Sequence, residues 1–264
     1  MAHQSFYPGR LQDQVIIVTG GQKGIGRGIA ERLALESARV VVTGRDEAAG
    51  RETVECIRDE LEASGSCVFI RADNAEPDDI RRAVSATLGE HGRIDGLVNN
   101  AATMERETIL TTRPELLEKV LRINLVGAVE YSRLVLEHML ERGKGRVVNI
   151  GSTHAWSGLS DLFPYSLSKG ALLTLTHHIA RNYASQGIRA NWVTVGWVKT
   201  PGEIEVWARQ GKDAAWIDGK AREVVPFGRL QTPEEVGAAV AFLFSSDADQ
   251  ITDTELDVTG GLRM

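Results

Sequence analysis

Three residues near the middle of the chain could move a proton: Ser152, Tyr165 and Lys169. Tyr165 and Lys169 are four positions apart, so they share one face if the segment after Pro164 is helical. A phenol normally loses its proton near pH ~10 and is a poor base at neutral pH. An ammonium one turn away favours the phenolate and lowers the pKa of the phenol. A hydroxyl that holds an alcohol or carbonyl oxygen completes a set for general acid–base chemistry.

The segment before Ser152 predicts where these groups lie. Residues 145–150 form an apolar run that predicts a buried strand ending at Gly151. Open α/β sheets bind ligands at the carboxyl ends of their strands, so we expect Ser152 beside a ligand. The alternative makes Tyr165 and Lys169 ordinary helix residues and Ser152 a turn residue, and the other motifs of the chain argue against it.

The composition is that of a globular protein. Of 264 residues, 42% are hydrophobic and 25% are charged, and the formal net charge is -6. No Lys/Arg cluster favours a nucleic-acid or anionic membrane partner. No apolar run approaches the ~20 residues that cross a bilayer, and residues 1–10 lack a signal-peptide core. Cys56 and Cys67 fit thiols in a reducing compartment. We therefore expect a cytoplasmic protein without a metal site.

A glycine-rich turn near the amino terminus predicts a phosphate-binding site. The β-branched residues 14–19 predict a buried strand, and an amphipathic helical pattern begins at Arg27. Glycines between them allow close backbone approach, and a helix N-terminus offers N–H groups to an anion. The spacing differs from Gly-x-Gly-x-x-Gly, so a structural turn is the alternative. The cofactor-binding residues predicted here are Gly20, Gln22, Lys23, Gly24, Ile25 and Gly26.

The end of the second predicted strand, residues 39–43, indicates which dinucleotide binds. An acid there binds a ribose 2′-hydroxyl, whereas an arginine accommodates a 2′-phosphate. Gly44 and Arg45 stand at this point, and Lys23 could add a second positive charge. We therefore predict that NADP is preferred and that NAD is possible. The alternative makes Asp46 the ribose acid, but an N-cap of the helix predicted at 47–63 explains Asp46 more simply.

Strand and helix patterns alternate through the rest of the chain. Further strands are predicted at 67–71, 94–98, 188–195 and 254–258, and further helices at 77–90, 114–125, 127–142, 164–185 and 233–245. This alternation predicts an α/β fold: a doubly wound, mostly parallel Rossmann-type sheet of about seven strands with helices on both faces. We expect one domain over residues 1–264, preceded by an N-terminal arm, residues 1–10.

The segment 200–231 breaks this alternation. It is long for a connection between a strand and a helix, and it contains several glycines and prolines together with Trp207 and Trp216. Long insertions at the carboxyl end of a sheet tend to be lids or binding loops. We predict a substrate lid, and a surface subdomain packed by its tryptophans is the alternative.

Several motifs together resemble the classical short-chain dehydrogenases/reductases over nearly the whole chain. Residues 19–26 (Thr-Gly-x-x-x-Gly-x-Gly) resemble the cofactor loop of that family, and residues 99–102 (Asn-Asn-Ala-Ala) resemble its Asn-Asn-Ala-Gly element. There are two departures. Ala102 replaces the usual glycine, and Val195 replaces the usual proline before Gly196, which is expected to leave the backbone there less stiff.

The resemblance implies a reversible hydride transfer between a nicotinamide and a secondary alcohol/ketone pair. In it Tyr165 would exchange the hydroxyl proton and Ser152 would hold the substrate oxygen. Lys169 would lower the tyrosine pKa and bind the nicotinamide ribose, and Asn124 would anchor a water that links Lys169 to solvent. Asn124, Ser152, Tyr165 and Lys169 are thus the implied catalytic residues. Further implied cofactor contacts are Asp73, Asn74, Asn99, Ala101, Tyr165, Lys169, Val198 and Thr200.

The resemblance also implies a homo-oligomer, a tetramer or a dimer, that acts on a small molecule. The predicted substrate-binding residues are Ser152, His154, Trp156, Tyr165, Trp197 and Glu203. Aromatic rings beside His154 and Glu203 would suit a sugar or polyol, and each of these side chains could instead be ordinary packing. A 3-oxoacyl or other ketone substrate is one alternative. A non-catalytic dinucleotide sensor or scaffold is another, which the filled catalytic positions disfavour.

Overall fold

The structure is a computed structural model that describes residues 8–60, 63–156 and 158–262. Seven strands in these residues form one parallel sheet in the order β3-β2-β1-β4-β5-β6-β7. They are β1 Val15–Thr19, β2 Arg39–Gly44, β3 Ser66–Arg71, β4 Gly96–Asn99, β5 Gly145–Ile150, β6 Ile188–Val195 and β7 Glu255–Val258. The strand order reverses between β1 and β4, which opens a crevice at their carboxyl ends. The predicted doubly wound parallel sheet is confirmed.

The helices follow the predicted alternation. They are α1 Gly24–Leu35, α2 Glu47–Glu55, α3 Pro77–His91, α4 Pro114–Leu121, α5 Gly127–Glu141, α6 Phe163–Tyr183, α7 Pro201–Arg209, α8 Ala214–Val224 and α9 Pro233–Phe244. Proline stands in the first turn of α3, α4, α6, α7 and α9. Its missing N–H has no partner in a first turn anyway, so it fixes where these helices begin.

Two differences from the predicted bounds are π-helical turns. The helix predicted at 47–63 ends its α-helical part at Glu55 and continues as one π turn, Cys56–Glu60. The helices predicted at 114–125 and 127–142 join without a break through a second π turn, Arg122–Val126. A π turn has no signature in hydrophobic periodicity, and such turns often occur at functional positions.

The core lies in two layers because side chains alternate across the buried strands. One layer joins Val18 and Val42 of the sheet to α1 and α9. The other joins Ile17 and Val41 to α3, α5 and α6. Adjacent residues of one strand thus face opposite layers, which holds the sheet rigid at the crevice.

The amino-terminal segment is tied to the sheet from Gly9 onward. The Gly9 N–H donates to Ser37 Oγ at 3.0 Å, and Arg10 Nε donates to Glu36 Oε2 at 2.6 Å. The Glu36 side chain is fully buried and also pairs with Arg32 at 2.6 Å. The predicted arm, residues 1–10, is therefore anchored at its carboxyl end, and residues 1–7 lie outside the described residues.

In the described part of the chain, no helix has both the length and the apolar character that crossing a bilayer requires. The same residues contain no group of three or more His, Cys, Asp or Glu side chains that could hold a metal ion.

Candidate active site

Ser152 and Tyr165 meet where β5 ends. β5 is buried along its whole length and ends at Ile150, and Ser152 begins the short turn Thr153–Ala155. Ser152 Oγ accepts the His154 N–H at 3.2 Å and hydrogen-bonds to the Tyr165 hydroxyl. The hydroxyl and the phenol therefore converge on one point at the carboxyl end of β5.

Lys169 lies one turn along α6, on the same face as Tyr165. Its Nζ donates to the Ile150 carbonyl at 2.8 Å and lies 5.6 Å from the centroid of the Tyr165 ring. The predicted sharing of one helix face by the two residues is confirmed. The ammonium faces the ring and the strand end.

Burial sets the pKa values of this pair. Desolvation raises the pKa of Tyr165 to about 12, against a smaller lowering by the Ser152 hydrogen bond. Desolvation lowers the pKa of Lys169 to about 8. The net direction for the phenol is therefore upward, and a lowering of its pKa by the ammonium stays a prediction. Burial in the protein disfavours the charged form of each group.

Asn124 lies in the π turn Arg122–Val126 and is buried. Its Oδ1 accepts the Thr103 N–H at 2.7 Å, and its Nδ2 donates to the Thr103 carbonyl at 2.9 Å and to Ser168 Oγ at 3.0 Å. Ser168 Oγ in turn donates to the Tyr165 carbonyl at 2.7 Å. Asn124 therefore fixes both the loop after β4 and the start of α6, and its implied water contact stays a prediction.

A cavity of about 880 Å³ opens at the crevice between β1 and β4, a volume in the range of small-molecule sites. Most predicted cofactor residues line it: Gly20, Gln22, Lys23, Gly24, Ile25, Gly26, Arg45, Asp73, Asn74, Ala101, Tyr165, Lys169 and Thr200. Lining residues that the sequence did not single out as cofactor contacts include Thr43, Ala72, Ile123 and Ile150. Three of these four stand at or just beyond strand ends, which is the signal that could have found them.

Two predicted cofactor residues are not among those that line the cavity. The Asn99 side chain is buried and donates to Ser132 Oγ at 3.1 Å and to Asn149 Oδ1 at 2.8 Å, so it joins β4 to its neighbours. Val198 is buried in the layer that contains α1 and α9. Both lie on the protein side of the backbone, a placement that motif spacing does not reveal.

The glycine turn fits a phosphate-bearing ligand. Gly20 has a φ of +64°, and a Cβ there would lie 2.9 Å from Ala101 Cα. A Cβ at Gly26 would lie 2.3 Å from the Gly20 carbonyl oxygen. The N-terminus of α1 lines the cavity and has no acidic residue in its first turn. Its N–H groups and dipole can therefore receive an anion.

The end of β2 places both an arginine and a carboxylate, Arg45 and Asp46, beside the cavity. Asp46 Oδ1 accepts the N–H groups of Ala48 and Ala49, both at 3.1 Å. The N-cap interpretation of Asp46 is thus confirmed. Arg45 is largely exposed, with Nη1 at 3.7 Å from Asp73 Oδ2. Arg45 and Lys23 border the same cavity, together with the carboxylates of Asp46 and Asp73.

The predicted substrate residues are only partly brought together. The His154 ring lies 6.3 Å from the Tyr165 ring, edge to face. Trp156 packs edge-on against Trp192 at 5.9 Å. Trp197 Nε1 donates to Glu203 Oε1 at 3.2 Å. His154, Trp156, Trp197 and Glu203 are absent from the lining of the 880 Å³ cavity.

Gln231 holds the segment that departs from the family pattern. Gln231 is buried, and its Oε1 accepts the Gly196 N–H at 3.0 Å. Its backbone N–H donates to the Trp197 carbonyl at 3.1 Å, and its carbonyl accepts the Lys199 N–H at 2.8 Å. Its amide also donates to the Val258 carbonyl. The backbone after Val195 is therefore fixed by hydrogen bonds, where less stiffness was expected.

Comparisons with known proteins agree with this geometry. A family model described as Enoyl-(Acyl carrier protein) reductase matches residues 20–263. L-fucose dehydrogenase of Bos taurus is 36% identical over 261 residues, covering 97% of this chain and 91% of that protein. An uncharacterized oxidoreductase of Thermotoga maritima is 36% identical over 253 residues, 96% of each chain. The structure of L-sorbose reductase from Gluconobacter frateurii, complexed with NADPH and L-sorbose, superposes with a TM-score of 0.90 at 27% identity, covering 96% of this chain and 97% of that chain.

These similarities extend over almost the full length of the chain, and they agree with the motif order and with the parallel sheet. The chain therefore belongs to the classical short-chain dehydrogenase/reductase family, and it is an NAD(P)-dependent oxidoreductase that interconverts a secondary alcohol and a ketone.

Proposed function

We propose that this enzyme prefers NADP and acts on a small polyhydroxylated substrate, a ketose or a polyol. The observation that carries the proposal is one cavity with acid–base groups at one place and cations at another. Tyr165 and Lys169 line it where β5 ends, and Lys23 and Arg45 line it where β1 and β2 end. A dinucleotide with an extra phosphate suits that distribution of charge.

Tyr165 moves the proton in this proposal. A pKa raised to about 12 keeps the phenol protonated at neutral pH, which is the form that donates to a carbonyl oxygen. The Ser152 hydroxyl, hydrogen-bonded to the phenol, is placed to hold the same oxygen. In the opposite direction the phenolate takes the proton of the alcohol. The nicotinamide, when bound, supplies the hydride chemistry.

Lys169 and Asn124 support the proton transfer. The Lys169 ammonium, held by the Ile150 carbonyl, places positive charge beside the ring and can donate to ribose hydroxyls. Asn124 holds the Thr103 loop against the start of α6. We also propose that Asn124 anchors a water that links Lys169 to solvent. Asp73 and Asn74 are proposed at the adenine, and the backbone of Val198 with Thr200 at the carboxamide.

Three observations support the preference for NADP. Gly44 leaves the end of β2 without an acid, and the carboxylate of Asp46 is engaged in capping α2. Arg45 and Lys23 both border the cavity beside it. The similar L-sorbose reductase was solved with NADPH.

Polar and aromatic groups around the catalytic end support a sugar or polyol. His154 lies beside Tyr165, and Trp197 is paired with Glu203 at the start of α7. Two of the similar proteins are named for sugars, L-fucose and L-sorbose. A 3-oxoacyl thioester is the second candidate, favoured by the exposed Ile204, Val206 and Phe227 on segment 200–231.

The test follows the absorbance of the reduced cofactor in a substrate panel. The panel contains L-sorbose, L-fucose, other ketoses and polyols, and a 3-oxoacyl thioester, each with NADPH/NADP or NADH/NAD. We expect the highest kcat/KM for a sugar or polyol with the NADP pair. Turnover of the thioester alone would overturn the sugar assignment. A higher kcat/KM with the NAD pair would overturn the cofactor preference.

Three wider expectations belong to the same proposal. Segment 200–231, whose helices α7 and α8 share a small core with Trp207, Ile217 and Leu230, acts as a lid, since Thr200 at its start lines the cavity. The enzyme is a homotetramer or dimer, which exposed apolar residues such as Val129 and Leu167 support. It works in the cytoplasm. Light scattering tests the assembly, and cell fractionation tests the location.

A further inference from the structure

The side chain of Gln22 is buried but incompletely bonded. Gln22 is 8% exposed and lines the cavity. Its Oε1 is buried without a hydrogen-bond partner within the described chain. A buried polar atom in this state costs free energy, so it marks a place where a ligand group can bind.

The position of the Gln22 side chain explains why residue 44 is a glycine. A Cβ at Gly44 would lie 2.1 Å from Gln22 Oε1, 2.2 Å from its Cδ and 2.6 Å from its Nε2. Gly44 is not among the glycines with positive φ, so its backbone conformation would accept any residue. The space that a side chain at position 44 needs is filled by the Gln22 amide.

Hydrogen bonds hold both backbones at this point. Gly44 pairs with Arg71 in the sheet, and its carbonyl accepts the Ala72 N–H at 2.9 Å. The Gln22 carbonyl accepts the Thr53 hydroxyl at 3.0 Å. A residue larger than glycine at position 44 must therefore displace the Gln22 side chain into the cavity.

We propose that Gln22 and Gly44 form an interlocked pair that selects the dinucleotide at the adenosine ribose. The inference rests on the proposed preference for NADP. The Gln22 amide occupies the place where an acid would bind the ribose 2′-hydroxyl. An amide carries a donor and an acceptor side by side. It can donate to a 2′-phosphate and accept from the adjacent 3′-hydroxyl, next to the cations of Lys23 and Arg45.

The first test replaces the amide by a carboxylate of the same shape. Gln22→Glu loses the N–H donor and adds negative charge, which repels a phosphate and accepts from hydroxyls. Fluorescence titration gives the Kd values of NADPH and NADH without turnover. We expect the preference for NADPH over NADH to fall by about tenfold or more. Gln186→Glu, an exposed glutamine after α6, adds the same charge and should leave the ratio unchanged. An unchanged ratio in folded Gln22→Glu would overturn the proposal.

The second test is a double-mutant cycle of Gly44→Asp and Gln22→Ala. Gly44→Asp alone should lower the Tm and weaken both cofactors, since the displaced amide enters the cavity. The double variant should regain Tm and bind NADH about tenfold more tightly than either single variant. Additive effects on both the Tm and the NADH Kd would overturn the interlock.

The cycle also separates this inference from the proposed function. A wild type that binds NADH as tightly as NADPH would overturn the NADP preference, while non-additivity in the cycle would still support the interlocked pair. A wild type that prefers NADPH together with an additive cycle would overturn the pair alone.

Discussion

The site has two halves. The cofactor half lies where β1, β2 and β4 end, and the substrate half consists of the loops that follow β4 and β5 together with segment 200–231. The two halves differ in the interactions that hold their residues in place. In the cofactor half, Thr19 Oγ1 accepts the N–H groups of Asn100 and Ala101 at 3.0 and 3.1 Å, and Asn100 Nδ2 donates to the Thr19 carbonyl at 2.9 Å. In the substrate half, loops are joined by surface ion pairs, Arg106 with Asp161 at 2.6 Å among them.

This difference predicts different stabilities. Hydrogen bonds that tie the ends of adjacent parallel strands open only when the sheet opens. Exposed ion pairs contribute about 0–1 kcal/mol each. The cofactor half is therefore fixed with the sheet, and we propose that the loops and the segment 200–231 open without unfolding it. We infer that the cofactor half determines the type of reaction and that the substrate half determines which substrate is accepted.

The largest effect is expected where the two halves meet. Tyr165→Phe removes the proton donor and keeps the ring, so turnover should fall by about 10²–10⁴-fold. The Kd of NADPH should stay within about twofold because the cofactor half is unchanged. Tyr183→Phe, on the last turn of the same helix, is the matched control and should keep full turnover. Turnover retained in Tyr165→Phe would contradict the assigned role.

The second largest effect is expected for Trp207→Ala, and it should be confined to the substrate half. Trp207 is buried and packs edge-on against Trp197 at 4.9 Å. Trp207→Ala removes the centre of the small core of segment 200–231, a loss of about 3–5 kcal/mol. We expect the substrate KM to rise about tenfold or more with little change in the NADPH Kd.

Trp216→Ala is the matched control, because Trp216 is partly exposed on α8 and its loss should change the substrate KM little. If Trp207→Ala left the substrate KM unchanged, segment 200–231 would not act as a lid.

A smaller effect is expected for Gln231, a residue of segment 200–231 whose replacement should weaken cofactor binding. Gln231→Leu leaves the Gly196 N–H and the Val258 carbonyl without their side-chain partner, at a cost of about 1–3 kcal/mol for a buried group. Since segment 196–199 is thereby loosened, the cofactor Kd should rise about tenfold while kcat changes less. Gln231→Glu keeps the acceptor for Gly196 and should recover part of the affinity. Equal losses of cofactor affinity in both variants would show that the hydrogen bond from the Gly196 N–H to Gln231 Oε1 does not contribute.

The smallest effect is the pH dependence of stability at the catalytic pair. Burial lowers the pKa of Lys169 from 10.5 to about 8, so between these pH values the folded protein binds fewer protons than the unfolded chain. The free energy of unfolding from this group therefore rises with pH across that window. Burial raises the pKa of Tyr165 from 10 to about 12, which opposes the rise only above pH 10.

The measurement is the Tm of the wild type minus that of Lys169→Met. The difference should increase by a few degrees (about 2–4 °C) from pH 8 to pH 10. Groups elsewhere titrate equally in both proteins and cancel. Parallel Tm curves would show that Lys169 keeps an ordinary pKa.

Local patterns in the sequence were enough to predict the sheet and the helix that position the site. Strand and helix periodicity predicted the parallel sheet, and the four-residue spacing placed Tyr165 and Lys169 on one face of α6. A helix start explained Asp46 as the N-cap of α2. Each of these features depends on residues within one or two turns of each other, so the amino-acid sequence determines them directly.

Tertiary structure decided what depends on distant contacts and on burial. Gln231 reaches Gly196 across 35 positions, and Gln22 fills the space at Gly44 from another loop. The Asn99 side chain joins β4 to β5, and burial raises the pKa of Tyr165. Spacing along the chain specifies which groups share a face. Only the folded packing specifies which space is already filled and how dry a charged group becomes.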